Sequence, residues 1–347
     1  MYRDIATTLY KRGQASMDGY QMPVWAPAVL LLNLIVFLPV TLIVTYTFQH
    51  VYPTLAIVED PSPPTYVSLQ DDERLNDEYS SAPSEPPVVT ASLRSTHRAV
   101  YAAGGWRSLF RGFTAYIFLV IVRGFVSIIF VGAGVPPVIV VPLVSLVLVQ
   151  PYAVWTHMII SAGPNPRPFW KRLPPFKRTF EATALPVLLY VLANEVTTFI
   201  PLLLAGLLGM NIWDPENPNA LPQADKHDAW KGFLVLLCAI LTHVFFVIPA
   251  QVVLTRVQAS FLPEEEDTIV PFDRTFGGKV EPAIVSGKGY VNMSDAWKSF
   301  SRASWVRLVK LYLKIFAIVV ALTMIWAGII IPEYILIANN SRRVDDV

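Results

Sequence analysis

The chain has 347 residues, 54% of them hydrophobic and 15% charged, with a net charge of +1 at pH 7. A soluble domain carries roughly 25% charged residues, so the composition, with a mean hydropathy of +0.47, points to a polytopic membrane protein. The near-zero net charge gives no case for nucleic-acid binding, and the lone Cys238 rules out an intrachain disulfide framework or a cysteine metal site. The first 24 residues form an N-terminal tail in which Arg3, Lys11 and Arg12 are offset by Asp4 and Asp18, a poor transit peptide.

Crossing roughly 30 Å of hydrocarbon takes about 20 mostly apolar residues. Six stretches satisfy this: 25–47, 113–133, 136–160, 184–209, 232–256 and 311–338. Long polar connections follow the first, third and fifth, so the chain reads as three hairpins, 25–133, 134–209 and 210–338, with a C-terminal tail at 339–347. The first connection holds an insertion over about 59–93. Its core, "EDPSPPTYVSLQDDERLNDEYSSAPSEPP" (59–87), is rich in Pro, Ser and acids and lacks periodicity, which predicts disorder. It reads either as a plain solvated insertion or as a regulated segment that engages a protein partner.

Lysines and arginines set the expected orientation. Seventeen fall in the segments inside hairpins, against seven in the tails and the loops between hairpins. The positive-inside rule therefore places the within-hairpin segments on the cytosolic or matrix-equivalent side, with both termini opposite.

A repeat is visible within this frame. "GGWRSLFRGF" (104–113) precedes the second span, and "ASWVRLVKLYLK" (303–314) precedes the sixth, with Trp106 over Trp305 and Arg111 over Lys310. Gly105, Trp106, Arg111 and Gly112 form the interfacial motif, in which Trp106 and Phe110 suit the interface and Arg107 and Arg111 point toward lipid phosphates. Upstream, 96–103 and 295–302 both read as short amphipathic helices. The odd spans end "PVTLIVTYTFQ" from Pro39, "PYAVWTHMIIS" from Pro151 and "PAQVVLTRVQAS" from Pro249. These anchors imply a period of about 100 residues, and a proline inside each odd span predicts a kink.

In this register nearly the whole chain resembles the mitochondrial carrier family, whose odd helices end in a proline, an acid, a basic pair and a glutamine. The resemblance implies an all-α membrane protein of six transmembrane helices in three pseudo-repeats, in an organelle membrane, the inner mitochondrial membrane before the outer. It also implies a gate at Pro39, Pro151, Pro249, Gln251, Arg256 and Gln258. The expected acids are replaced by Thr41, Tyr152 and Gln251, and the first basic positions by Val44, Trp155 and Leu254. The expectation is therefore that no closed ionic ring forms.

Charged side chains inside a bilayer are costly and tend to face a cavity or a partner. Arg123 in the second span and Glu195 in the fourth occupy matching levels, with Thr323 beside the third. In the family this level contacts substrate, so Arg123 and Glu195 are candidates for holding a small zwitterionic or anionic solute. The bland alternative is an ion pair tying the two spans together. Asn33 and His243 each lie six residues before a proline, and either line the same cavity or form helix–helix hydrogen bonds.

No catalytic constellation, metal-ligand spacing or cofactor motif stands out, so the chain is expected not to be an enzyme. Two function classes remain: a carrier of a small solute, and a non-transporting carrier-fold adaptor, scaffold or insertase acting in organelle morphology or protein assembly. The lipid bilayer is the partner common to both.

Overall fold

In a bilayer every backbone N–H and C=O must be satisfied within the chain, so apolar stretches of this length fold as helices. The computed structural model describes residues 20–60, 88–163, 169–210, 229–263, 265–280, 289–340 and 342–343. Its helices are α1 (Ala26–Val58), α2 (Leu93–Ala102), α3 (Phe113–Gly132), α4 (Pro137–Val147), α5 (Val149–Ile160), α6 (Phe176–Leu207), α7 (Ala229–Ala259), α8 (Met293–Lys298) and α9 (Arg302–Asn340). A 3₁₀ turn, Gly105–Phe110, leads into α3. By length and apolarity five helices can cross a membrane, or six if α4 and α5, bent by 64° at their junction, make one span.

The spans are apolar around their circumference. Leu34, Phe125, Ile128, Leu202, Phe233 and Ile325 are each more than half exposed, as expected of helices whose solvent is lipid rather than water. The 59–87 core lies almost wholly outside the described residues. The ends of the expected disordered stretch do not conform to that expectation: Glu59 and Thr90 are buried, and α2 begins at Leu93. The reason for its start is local, since Ser92 accepts from the Ser95 amide at 3.1 Å in a capping box.

The chain divides into two units, residues 1–49 with 312–347, and residues 50–311. In the first, the rings of Phe37 and Trp326 lie 5.1 Å apart, and Asn33 Nδ2 donates to the Glu333 carboxylate. Outside its helices this unit pairs β1 (Tyr20–Gln21) antiparallel with β2 (Arg342–Arg343).

In the second unit three helix ends gather. Residues 52–58 of α1, the whole of α5 and residues 248–259 of α7 pack pairwise against one another. Val51, Val149 and Val247 are buried, each two residues ahead of a proline: Pro53, Pro151 and Pro249. These prolines stand at equal intervals along the chain. The helix is irregular immediately before each one, as a π stretch at Ile43–Val51, the 64° bend at Leu148, and a π stretch at His243–Val247. A proline removes one N–H and crowds the carbonyl four residues back, so the preceding turn must widen or bend. Pro39, the kink expected in the first odd span, lies within the α-helical part Ala26–Leu42, just ahead of the π stretch that begins at Ile43.

The Asn33–Glu333 contact yields a direct test. Replacing Asn33 by Leu should lower stability in detergent by about 1–2 kcal/mol, the scale of a hydrogen bond between membrane helices, and a thermal-unfolding midpoint equal to that of wild type would show that the contact contributes nothing.

Candidate functional site

Two polar features of the second unit concern function. The first sits where the three helix ends meet. Glu59 and Asp60 follow the last turn of α1 directly. Glu59, 1% exposed, accepts hydrogen bonds from the Val89 and Thr90 amides and from the Thr90 hydroxyl, and it pairs with Arg307 at 3.5 Å. Asp60 accepts from Arg256 at 3.2 Å and from the Asp273 amide at 3.1 Å.

Arg256 is the centre of this layer. It is also 1% exposed, donates to the Ile57 carbonyl and the Ser299 hydroxyl, both at 3.1 Å, and lies over the rings of Phe276 and Phe300 at 5.0 and 5.7 Å. Phe276 is held at φ +51°, a conformation costly for a bulky residue. What holds it is the Asp273 turn: the carboxylate accepts from the Thr275 amide and hydroxyl and from the Gly277 amide, at 2.9, 2.6 and 2.7 Å. A desolvated cation over an aromatic face gains about 2 kcal/mol, enough to offset the strained backbone.

Two carboxyls outside the spans are shifted in opposite senses. Burial pushes Asp60 above its usual range, and the Arg256 charge and the hydrogen bonds only partly oppose it. Burial acts to raise Asp273 as well, but the bonds from Thr275 and Gly277, with the Arg256 charge, outweigh it and hold the carboxyl below its usual range.

The other hairpins lock in beside this layer. Thr156 donates to the Gln258 side chain at 2.7 Å, and His157 Nε2 lies 2.8 Å from the Gln258 carbonyl. Arg172 pairs with Glu266 at 2.9 Å. Arg111 turns inward and donates to the Ala162 carbonyl at 2.8 Å, rather than pointing to lipid phosphates as expected. Trp106 is 64% exposed. Gly105 and Gly112, at φ +66° and +70°, are the left-handed joints that let the chain turn into and out of the 3₁₀ segment.

Ionic contacts are present in this layer as separate pairs. They join Glu59 to Arg307, Asp60 to Arg256 and Glu266 to Arg172, and of these six residues Arg256 alone belongs to the motif that follows Pro39, Pro151 and Pro249. Sequence reasoning found Arg256 and missed its partners. The signal was a Glu-Asp pair ending an apolar run, obscured because it opens the acidic insertion. Gln251 is half-buried beside this layer.

The second feature lies on the apolar side of the layer. Arg123 is exposed, two turns beyond Tyr116 on the same face of α3. Its charge acts on Tyr116 and on Tyr190 of α6, and Tyr152 of α5 is within electrostatic reach of both. Trp155 packs between Tyr116 and Tyr152 at 5.5 and 6.2 Å, and His50 closes on Tyr116 at 5.0 Å. The result is a cation acting on phenols of α3 and α6, beside a ring cluster to which α1 and α5 contribute.

Glu195 is exposed too, on the face of α6 that carries Leu192 and Phe199, 61% and 62% exposed. Among the described residues neither Arg123 nor Glu195 enters an ion pair, so the mutual pair considered from the sequence is not formed. Asn33 follows the helix–helix alternative through Glu333. His243 is half-buried at the start of the α7 π stretch. Thr323 is exposed and donates to the carbonyl of Val319 in its own helix at 2.9 Å. Among the described residues no cluster of His, Cys, Asp and Glu could hold a metal ion. No protein-family model matches the chain, and neither does a characterised protein or a solved structure.

A carboxyl whose folded pKa is raised binds its proton more readily in the folded chain, so its contribution to stability grows as pH falls toward its unfolded value near 3.8. Wild type should therefore gain thermal stability relative to Asp60→Asn as pH falls from 7 toward that unfolded value. A constant difference between the two melting curves across that range would sink the assignment.

Proposed function

We propose that the chain is a carrier-type membrane protein that moves a small anionic or zwitterionic solute across an organelle membrane, most readily the mitochondrial inner membrane, with three related hairpins around the path. The observation that carries this reading is Arg123, a charge in mid-span that enters no ion pair among the described residues and whose field reaches the phenols of Tyr116 and Tyr190. A guanidinium in such surroundings presents a fork of donors matched to a carboxylate or phosphate, and low polarity strengthens the attraction. The solute's charge would complete the site. The layer around Arg256 closes one end of the helix cluster, and equal spacing of Pro53, Pro151 and Pro249 supports a repeat of the kind the family resemblance implies.

The full chain in liposomes, offered labelled dicarboxylates, amino acids and phosphate in turn, tests this reading. Arg123→Gln should cut uptake by about 30-fold or more, the effect of removing one partner of a desolvated charge contact, while Arg123→Lys retains part of it. Uptake unchanged by both Arg123→Gln and Glu195→Gln would remove these residues from the mechanism.

One observation favours a second reading, a carrier-fold adaptor or scaffold that does not transport. Glu59 grips Val89 and Thr90, so both ends of the 61–87 segment emerge from one fixed point, as befits a tether for a protein partner. Because those ends already meet, replacing 61–87 by a short Gly-Ser linker should leave the melting midpoint within about 1 °C of wild type, since loop length alone costs little. On the adaptor reading the same replacement abolishes capture of a partner in mild detergent and leaves no uptake to lose; on the carrier reading uptake survives it.

A further inference from the structure

The layer that seals the helix ends contains a cavity used by neither feature above. It has a volume of about 410 Å³ and lies between the start of α6, the turn after α7 and the loop that carries Arg274. That size suits a small ligand, for which pockets run about 300–1,000 Å³. Its lining includes Lys171, Arg172, Arg178 and Arg274 against one carboxylate, Glu266, with His157 at the wall.

The single carboxylate is already committed. Glu266 pairs with Arg172 at 2.9 Å and accepts from the Ser161 hydroxyl. Arg274 is positioned by the main chain, donating to the carbonyls of Pro263 and Glu266. Lys171 is exposed and makes no hydrogen bond or ion pair with a described residue. Arg111 adds to the field, close enough to Arg172 for the two charges to act on one another. Four cations drawn together repel, and a concave wall of one sign concentrates counter-ions. Guanidinium forks match the oxygens of a phosphate, and an ammonium adds a point charge.

We propose that this cavity is a binding site for a phosphate-bearing anion, a phosphomonoester or a pyrophosphate, held by Lys171, Arg172, Arg178 and Arg274. A phosphate places nearly two negative charges and three acceptor oxygens on one centre, which four cations in so small a space can satisfy and a single carboxylate cannot. The ligand bridges the second hairpin, which supplies Lys171, Arg172 and Arg178, to the third, which supplies Arg274. Its source is either a soluble phosphorylated molecule or the headgroup of a lipid. The site is independent of Arg123 and of whether the protein transports.

The test uses the full chain in detergent, titrated calorimetrically with inorganic pyrophosphate and, as a control, with sodium chloride at matched ionic strength. Saturable binding of pyrophosphate alone is expected. Its dissociation constant should rise at least about tenfold in Lys171→Gln/Arg178→Gln, the loss of two charge-assisted contacts. Lys177→Gln, an exposed neighbour outside the lining, and Arg123→Gln should leave it unchanged. Lys171→Gln alone, being exposed, reports the same effect in smaller measure should the double variant fold poorly. Nanodiscs of phosphatidic acid and of phosphatidylcholine then separate the sources. Loss of pyrophosphate binding only with phosphatidic acid identifies a headgroup, and binding unaffected by either lipid identifies a soluble ligand. No saturable binding, or an equal loss in Lys177→Gln, overturns the proposal.

Discussion

A buried guanidinium dictates the organisation of the polar end of this protein. Burying the charge of Arg256 costs several kcal/mol unless it is paired and hydrogen-bonded, and its partners come from three separate stretches: Ile57 and Asp60 at the end of α1, Phe276 in the loop after α7, and Ser299 and Phe300 ahead of α9. Meeting that demand requires the end of α1 to lie against α7 and the loop to fold back over both. The strained φ of Phe276 and the Asp273 turn that enforces it are consequences of the same requirement.

The prolines act in concert with that demand. A regular helix that ended at the membrane surface would present its last carbonyls to water. Here the spans run on past the bilayer thickness: α7, at 31 residues, is about 46 Å long at 1.5 Å per residue. The extra turns carry the buried valines, Thr156, Arg256 and Gln258, and the irregular turn before each proline sets the direction in which those turns leave the span. Apolar exposure and polar closure are thus divided along single helices, lipid-facing at one level and packed at the next.

The two candidate sites draw on opposite sides of this division. Around Arg123 a charge remains in an apolar span, in no ion pair with a described residue. Around Lys171 and Arg274 several cations crowd a cavity in whose described lining the one carboxylate, Glu266, engages Arg172 and Ser161. Among the described residues, cations outnumber carboxylates in both places. Such local excess is what a binding site for an anion requires, and it coexists with a chain whose overall charge is almost nil.

The spans were legible in the sequence because bilayer thickness and backbone hydrogen bonding leave an apolar stretch of this length little choice but helix. Arg123, Glu195 and Arg256 were legible for a related reason: a charge in an apolar run is conspicuous. What each charge meets was not legible. Asp60 lies far from Arg256 along the chain, and Glu59 with its neighbour looked like the start of a solvated acidic stretch. Arg111 looked like an interfacial cation until the Ala162 carbonyl turned it inward. The sequence by itself determined the helices, their apolar surfaces and the candidate breakpoints at proline, since these depend on local chemistry and on the solvent. Only the tertiary structure decided which proline adjoins the irregular turn, which acids pair with which bases and where cations are left in excess, because those outcomes rest on contacts between residues that the chain keeps far apart.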